Sequence, residues 1–245
     1  MIYLGLILTG IIAGFFNSMA GGGSLLTLPL LIFMGLPPMV ANGTNRLAII
    51  VGALSGTYNF KKQGYFELKK SLIYGIPAVI GSVIGSSVAI KISDQLFNRM
   101  LGIVMLVMLV IIIFQPHKHI KKFQKENNIL GAVLFFFVGI YGGVIQAGVG
   151  FLIMTVLTLV TTFKLVKINS IKILVVLIYT IPAFFIFFRS GNVDLVKGLI
   201  LSIGNGTGAL IGSKVQINRG DAIIKVFLII AVLFMSLKLL GIIRL

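Results

Sequence analysis

Apolar residues run through this chain in segments that no water-soluble fold can hide. They extend from about Ile2 to Pro38, Leu47 to Phe60, Ser71 to Ile90 and Gln95 to Phe114. They resume from about Ile129 to Phe163, Ile173 to Phe188, Gly198 to Ile211 and Ala222 to Ile243. The runs are apolar on every face, so helix follows from their length and from the need to bond all backbone groups internally in lipid. A bilayer core of about 30 Å takes about 20 residues per helical span. Only 11% of the chain is charged while 58% is hydrophobic, which leaves too little polar side chain to coat a soluble surface. The fold class expected is all-α: a polytopic helical membrane protein of about eight transmembrane helices.

The first segment of each half complicates that count. Each is about 35 residues long, or roughly 50 Å of straight helix, too much for one crossing. Each is interrupted near its middle by glycines: Gly21-Gly22-Gly23 in one, Gly148-Val149-Gly150 in the other. A broken helix or a re-entrant pair fits better than a rod. If each segment crosses twice, the count becomes ten, with five spans per half and inverted halves. If it crosses once, the halves are parallel.

The halves themselves repeat. Residues 21–86 align without a gap on residues 148–213 at an offset of 127, with 17 of 66 positions identical. Shared leucines are cheap in such a composition, but Asn42 also meets Asn169, Gly64 meets Gly191, and Gly81-x-x-x-Gly85-Ser86 meets Gly208-x-x-x-Gly212-Ser213. The organisation expected is a first membrane repeat over 1–116, a basic linker loop over 117–128, and a second repeat over 129–245. The Gly-x-x-x-Gly pairs read as close helix packing.

Charge and chemistry narrow the function. The net charge of +16 arises from basic residues at the ends of apolar segments, where they orient helices, so nucleic-acid binding is excluded as a partner class. Eight spans with the N-terminal end inside would put 11 basic residues inside, Lys61, Lys62, Lys69 and Lys70 among them, against 8 outside, including Lys167 and Lys214. The five acids, Glu67, Asp94, Glu126, Asp194 and Asp221, all fall in predicted loops. No span therefore carries the carboxylate usual in proton pumps and cation antiporters, and an anionic substrate fits better. There is no cysteine, hence no disulfide, thiolate metal site or cysteine nucleophile. His117-x-His119 lacks convergent ligands and reads as a solvated basic loop. No nucleophile–base constellation or cofactor motif is present, so neither enzyme activity nor a cofactor is expected. Met1-Ile2-Tyr3-Leu4 has no basic lead-in, so the first run is read as a retained span.

Two constellations are candidate substrate contacts. Asn17, Gly21, Gly22 and Gly23 at the first break correspond to Gln146, Gly148 and Gly150 at the second. Transporters use such mid-membrane breaks to aim half-helix N-termini at anions, although small residues also serve close packing. Asn42, Thr44, Asn45 and Arg46 open the next span, and Asn169 and Ser170 are their counterparts, followed by Lys172. Arg46 is the better cation for an oxyanion, since a guanidinium offers two parallel hydrogen bonds. A cation at a span's edge also serves as an interfacial anchor.

These residues resemble a known family. Asn17-Ser18-Met19-Ala20-Gly21-Gly22-Gly23-Ser24, Pro29-Leu30-Leu31, Gly35-Leu36-Pro37-Pro38, Ala41-Asn42-Gly43-Thr44-Asn45-Arg46, the Gly64-Tyr65-Phe66 turn and Gly148-Val149-Gly150-Phe151-Leu152 look like the sulfite exporter TauE/SafE family. The resemblance covers nearly the whole chain. It implies a multi-pass permease of the cell inner membrane that moves small sulfur-containing anions such as sulfite. The chain departs from that pattern where Ile171-Lys172-Ile173 replaces Thr44-Asn45-Arg46, so the second site is no copy of the first. The function expected is a secondary transporter of small anions working by alternating access between the repeats. An anion channel is the alternative. The partners expected are a small anion and the lipid bilayer, with a homodimer left open.

Overall fold

A computed structural model describes residues 2–19, 21–114, 126–215 and 222–240. The described residues form ten helices and no strand. Five precede residue 115: α1 (Ile2–Met19), α2 (Ser24–Phe33), α3 (Pro38–Lys62), α4 (Leu68–Ala89) and α5 (Asp94–Phe114). Five follow residue 125: α6 (Asn128–Val144), α7 (Val149–Val160), α8 (Leu165–Arg189), α9 (Leu195–Val215) and α10 (Ala222–Leu239). His117 and His119, and most of the expected linker, lie outside the described residues. At the linker's end, Asn127 accepts a hydrogen bond from the Leu130 amide at 2.9 Å and so caps α6.

The first apolar segment of each half is two helices. Glycine backbone at positive φ turns the chain at each break: Gly21 at +85° and Gly148 at +71°, beside Gln146 at +64°. Gln146 is the one residue other than glycine with positive φ among those described. After the first break, Gly23 packs against the Ala13 carbonyl and the Asn17 side chain, so α2 doubles back along α1. Four helices, α4, α5, α8 and α9, are long and apolar enough to cross a membrane on length and composition. Large apolar side chains are exposed along the helices: Ile76 and Ile80 of α4, Ile103 and Val107 of α5, Phe137 of α6 and Ile203 of α9. In water such a surface would drive aggregation; in lipid it is the solvent-matched face.

Packing interleaves the two groups. α1 lies along α9, and α4 along α6. Both contacts are made by small residues. A Cβ at Gly81 or Gly85 would collide with the Phe136 or Ile140 carbonyl of α6, and one at Gly208 or Gly212 with the Ile11 or Phe15 carbonyl of α1. The Gly-x-x-x-Gly pairs are thus packing seams, as their spacing predicts. α3 and α8 cross antiparallel, since Gly43 meets Phe187 and Asn192 while Gly56 meets Ile173.

The sides of the molecule differ from the eight-span arrangement, which separates Lys62 and Glu67 from Lys167 and Lys214. Glu67 forms an ion pair with Lys167 at 2.7 Å, and Lys62 and Lys214 line one pocket. All four share one face, called the lysine face below. The cause is the extra reversal of the chain at each glycine break. The described acids behave as expected: Glu67, Glu126 and Asp194 precede helices and Asp94 begins one.

Candidate functional site

The two breaks meet at the centre of the molecule. Gly21 and Gly150 touch backbone to backbone, and a Cβ on either would overlap the other's Cα. Ser24, at the start of α2, ties the second break to the first: its Oγ donates to the Gln146 carbonyl at 3.3 Å and accepts from the Gly148 amide at 3.3 Å. Asn17 Oδ1 accepts from the Gly23 amide at 2.9 Å, which satisfies one of the amides freed at the start of α2.

The C-terminal carbonyls of the broken helices pose the opposite problem, because unbonded carbonyls are costly at membrane depth. Each broken helix is capped by the other group of helices. Asn42 Nδ2 of α3 donates to the Val144 carbonyl of α6 at 2.7 Å, and Arg46 donates to the Gly142 and Gly143 carbonyls at 3.1 and 2.6 Å. The Arg46 guanidinium lies 4.5 Å from the Phe187 ring centroid. Asn169 Nδ2 of α8 donates to the Met19 carbonyl of α1 at 3.1 Å, and Lys172 Nζ to the Asn17 and Ser18 carbonyls at 3.1 and 3.3 Å. A cation at a helix C-terminus also meets the negative end of the helix dipole. Arg46 and Lys172 do the same work although they sit one residue out of register between the halves.

Beside the breaks lies a cavity in which about 40 Å³ is open to the centre of a water-sized sphere. That is room for about three waters, and so for a compact oxyanion. Asn17, Ser18, Gly21 and Ser24 line it from the first break, and Gln146, Val149 and Gly150 from the second. Lys172, Asn205 and Gly52 complete the wall around its polar part. Lys172 is the one charged residue in this wall, and no acid faces it among the described residues. An ammonium has three donors; two of Lys172's go to α1 carbonyls and the third has no partner among the described residues. The starts of α2 and α7 both border the cavity and present the positive ends of their dipoles.

Of the thirteen residues named from the sequence, Asn17, Gly21, Gln146 and Gly150 line this cavity. Gly22 and Gly23 shape the first turn, and Gly148 packs on Met108. Asn42, Asn169 and Arg46 are helix caps. Thr44 accepts from the Asp194 amide at 2.8 Å, Asn45 accepts from Thr27, and Ser170 is buried in α8. Lys172, rated below Arg46 from sequence, is the cation at the cavity.

Asn205 was missed. It lies mid-helix in α9, 1% exposed, and neither amide atom has a protein partner among the described residues. The legible signal is a lone amide inside an apolar run, a costly residue at membrane depth. Its counterpart at the 127-residue offset is Ala78, so comparing the halves could not flag it.

Outside the cavity, Asp194 caps the first turn of α9 by accepting from the Lys197 amide at 2.9 Å. Partial burial alone would raise its pKa, but the Lys197 ammonium and amide outweigh this and hold the carboxyl below its ordinary value.

An all-helical body with a lipid-matched surface, interrupted helices and a central, largely apolar cavity with polar groups at the breaks fits a multi-pass membrane transporter. The chain belongs to the sulfite exporter TauE/SafE family, whose model matches residues 6–239. It is 26% identical over 243 residues to a probable membrane transporter protein, ORF9, of a Sinorhizobium species, covering 96% of this chain and 91% of that one. It is 26% identical over 232 residues to a probable membrane transporter protein of Haemophilus influenzae, covering 94% and 91%. It is also 26% identical over 241 residues to the probable membrane transporter protein YfcA of Escherichia coli K12, covering 96% and 88%. No solved structure matches.

Proposed function

We propose that this protein is a secondary transporter of small oxyanions, sulfite first among them, working by alternating access between two inverted five-helix repeats. The observation that carries this reading is the cavity at the junction of the two breaks. Two helix N-termini, one lysine and several amides and hydroxyls surround it, and among the described residues no carboxylate opposes an anion there. Sulfite fits by size and sign, and the family description names it.

Several features support the inverted duplication. Helix bounds correspond at one offset: Pro38–Lys62 with Leu165–Arg189, and Leu68–Ala89 with Leu195–Val215. The matched glycines Gly21 and Gly148, and Gly64 and Gly191, all adopt positive φ. The corresponding helices α3 and α8 run antiparallel. An odd number of full crossings per half follows, because α2 and α7, of 10 and 12 residues, are too short to span a bilayer and return from the breaks, and each repeat holds the other's broken helix by its capping side chains. Rocking one repeat against the other would shift the cavity between faces.

Orientation follows from charge. Lys61, Lys62, Lys69, Lys70, Lys164, Lys167 and Lys214 lie at the lysine face, against Lys91, Arg99, Arg189, Lys197 and Lys238 at the other. The segment leading into α6 beside Lys70 carries four further lysines. The lysine face is therefore cytoplasmic by the positive-inside rule. Between the cavity and that face, Asn59 Nδ2 donates to Ser213 Oγ at 2.6 Å and links α3 to α9. Ala209 lines the cavity and its neighbour Leu210 the outer pocket, so α9 borders both, and the Asn59–Ser213 bond joins it to α3 beside them. That link between the helices supports a carrier over a channel.

The test is reconstitution of the purified protein in liposomes. A carrier gives saturable sulfite uptake accelerated by sulfite on the far side. Conductance steps in a planar bilayer, or no sulfite flux, would overturn the reading.

A further inference from the structure

From the cavity wall we infer that the site selects a monoprotonated oxyanion, and that Asn205 is the residue that reads the proton. This rests on the anion-carrier reading above and specifies the form of ligand that reading leaves open.

The argument begins with an amide that has no partner. Asn205 lies in the wall of the cavity, all but fully buried, and both its Oδ1 and its Nδ2 lack a protein hydrogen bond among the described residues. A buried polar atom left unpaired costs about 1–3 kcal/mol, so two on one side chain are explained by a ligand that pairs with both. The conclusion does not depend on which way the amide is turned, because both ends face the same lack.

The chemistry of the ligand follows from what is unpaired. Lys172 has one N–H without a partner among the described residues, and Asn205 Nδ2 is a donor; both suit the oxygens of an anion. Asn205 Oδ1 is an acceptor, and so is Gln146 Oε1, also in the wall, whose Nε2 is already committed to Thr180 Oγ1 at 2.9 Å. A fully ionised oxyanion has no hydrogen to offer either acceptor. An oxyanion that retains one O–H does: it pairs with the Asn205 amide through two parallel hydrogen bonds, as a carboxylic acid pairs with an amide, while Lys172 neutralises the remaining charge. A monoanion also matches the single cation in the wall. No carboxylate lines the cavity among the described residues, so the proton is assigned to the substrate rather than to an acid in the wall.

Three monoanions of similar size separate the alternatives: hydrogensulfite and hydrogenselenite, which carry a proton in mildly acidic buffer, and methanesulfonate, which has none. Their affinities for the purified full chain are measured by calorimetry for the wild type and for Asn205→Leu. The wild type should bind the two protonated ions about tenfold or more tightly than methanesulfonate, the difference that one stranded buried acceptor produces. In Asn205→Leu the three affinities should converge to within about threefold, since the amide that distinguishes them is gone. Asn205→Ala gives the same reading should the leucine disturb packing against Gly52. Equal affinities in the wild type, or an undiminished preference in both variants, would overturn the inference while leaving an anion site standing. Binding of none of the three would overturn the anion site and this inference with it.

Discussion

Arg46→Met separates a capping role for Arg46 from a substrate-binding one. Methionine keeps the unbranched apolar stem but removes both donating nitrogens and the cation over Phe187. The Gly142 and Gly143 carbonyls, now bonded at 3.1 and 2.6 Å, lose these buried partners. Hydrogen bonds from a charged donor contribute about 1.5–3 kcal/mol each, and relief of burying the guanidinium offsets part of that. A net loss of about 3 kcal/mol is expected, which for a chain of this size corresponds to a fall in Tm of roughly 6–12 °C. The assay is thermal unfolding in detergent followed by intrinsic tyrosine fluorescence, alongside sulfite binding below the new midpoint. The protein should be less stable yet bind sulfite within about threefold of wild type, because Arg46 does not reach the cavity wall. An unchanged Tm would refute the capping argument. Normal stability with sulfite binding lost would place Arg46 on the substrate.

Two further outcomes follow from the packing and the charges. Gly81→Leu and Gly208→Leu each force a side chain into a carbonyl of the neighbouring helix, and each should lower the yield of folded protein far more than Gly5→Ala, a helical position whose Cβ meets nothing within 4 Å, as measured by size-exclusion monodispersity. Asp194 has a folded pKa below its unfolded value. Its contribution to the start of α9 is therefore present above the ordinary aspartate range and lost as pH falls through the lowered value; Asp194→Asn should flatten that acid limb of a pH–stability curve and leave the neutral region nearly unchanged.

Much of this architecture is legible in the residues, because lipid leaves few ways to satisfy a backbone. Apolar runs must be helices, and three adjacent glycines in the middle of a 35-residue run must be a break. The acids had to sit at helix ends, and so the four described ones do. The small-residue seams were readable as contacts but not their partners, since nothing local says that Gly81 faces Phe136 or that Gly208 faces Ile11. The cations show the limit most clearly. A lysine or arginine near the start of a span reads as an anchor or a substrate contact. That Arg46 meets the end of α6 and Lys172 the end of α1 depends on pairing across about 100 and 155 residues, which local sequence does not encode. The sides depend on a related choice that the residues leave open: a reversal at each break, absent from the eight-span arrangement, moves later loops to the opposite face. Asn205 was hidden because the repeat drew attention to matched positions, whereas the unmatched amide is the one left without a partner.

The central claim is that the cavity between the two breaks holds a small oxyanion against Lys172. It is tested most directly by sulfite counterflow in proteoliposomes containing wild type, Lys172→Arg or Lys172→Met, each first shown to be folded. Loss of a buried cation that contacts the anion should weaken binding by about 2–4 kcal/mol, roughly 30- to 1,000-fold. The account predicts saturable counterflow in the wild type, retention of a substantial part of it by Lys172→Arg, and its disappearance in Lys172→Met. Counterflow by folded Lys172→Met at the wild-type rate and half-saturation would contradict it.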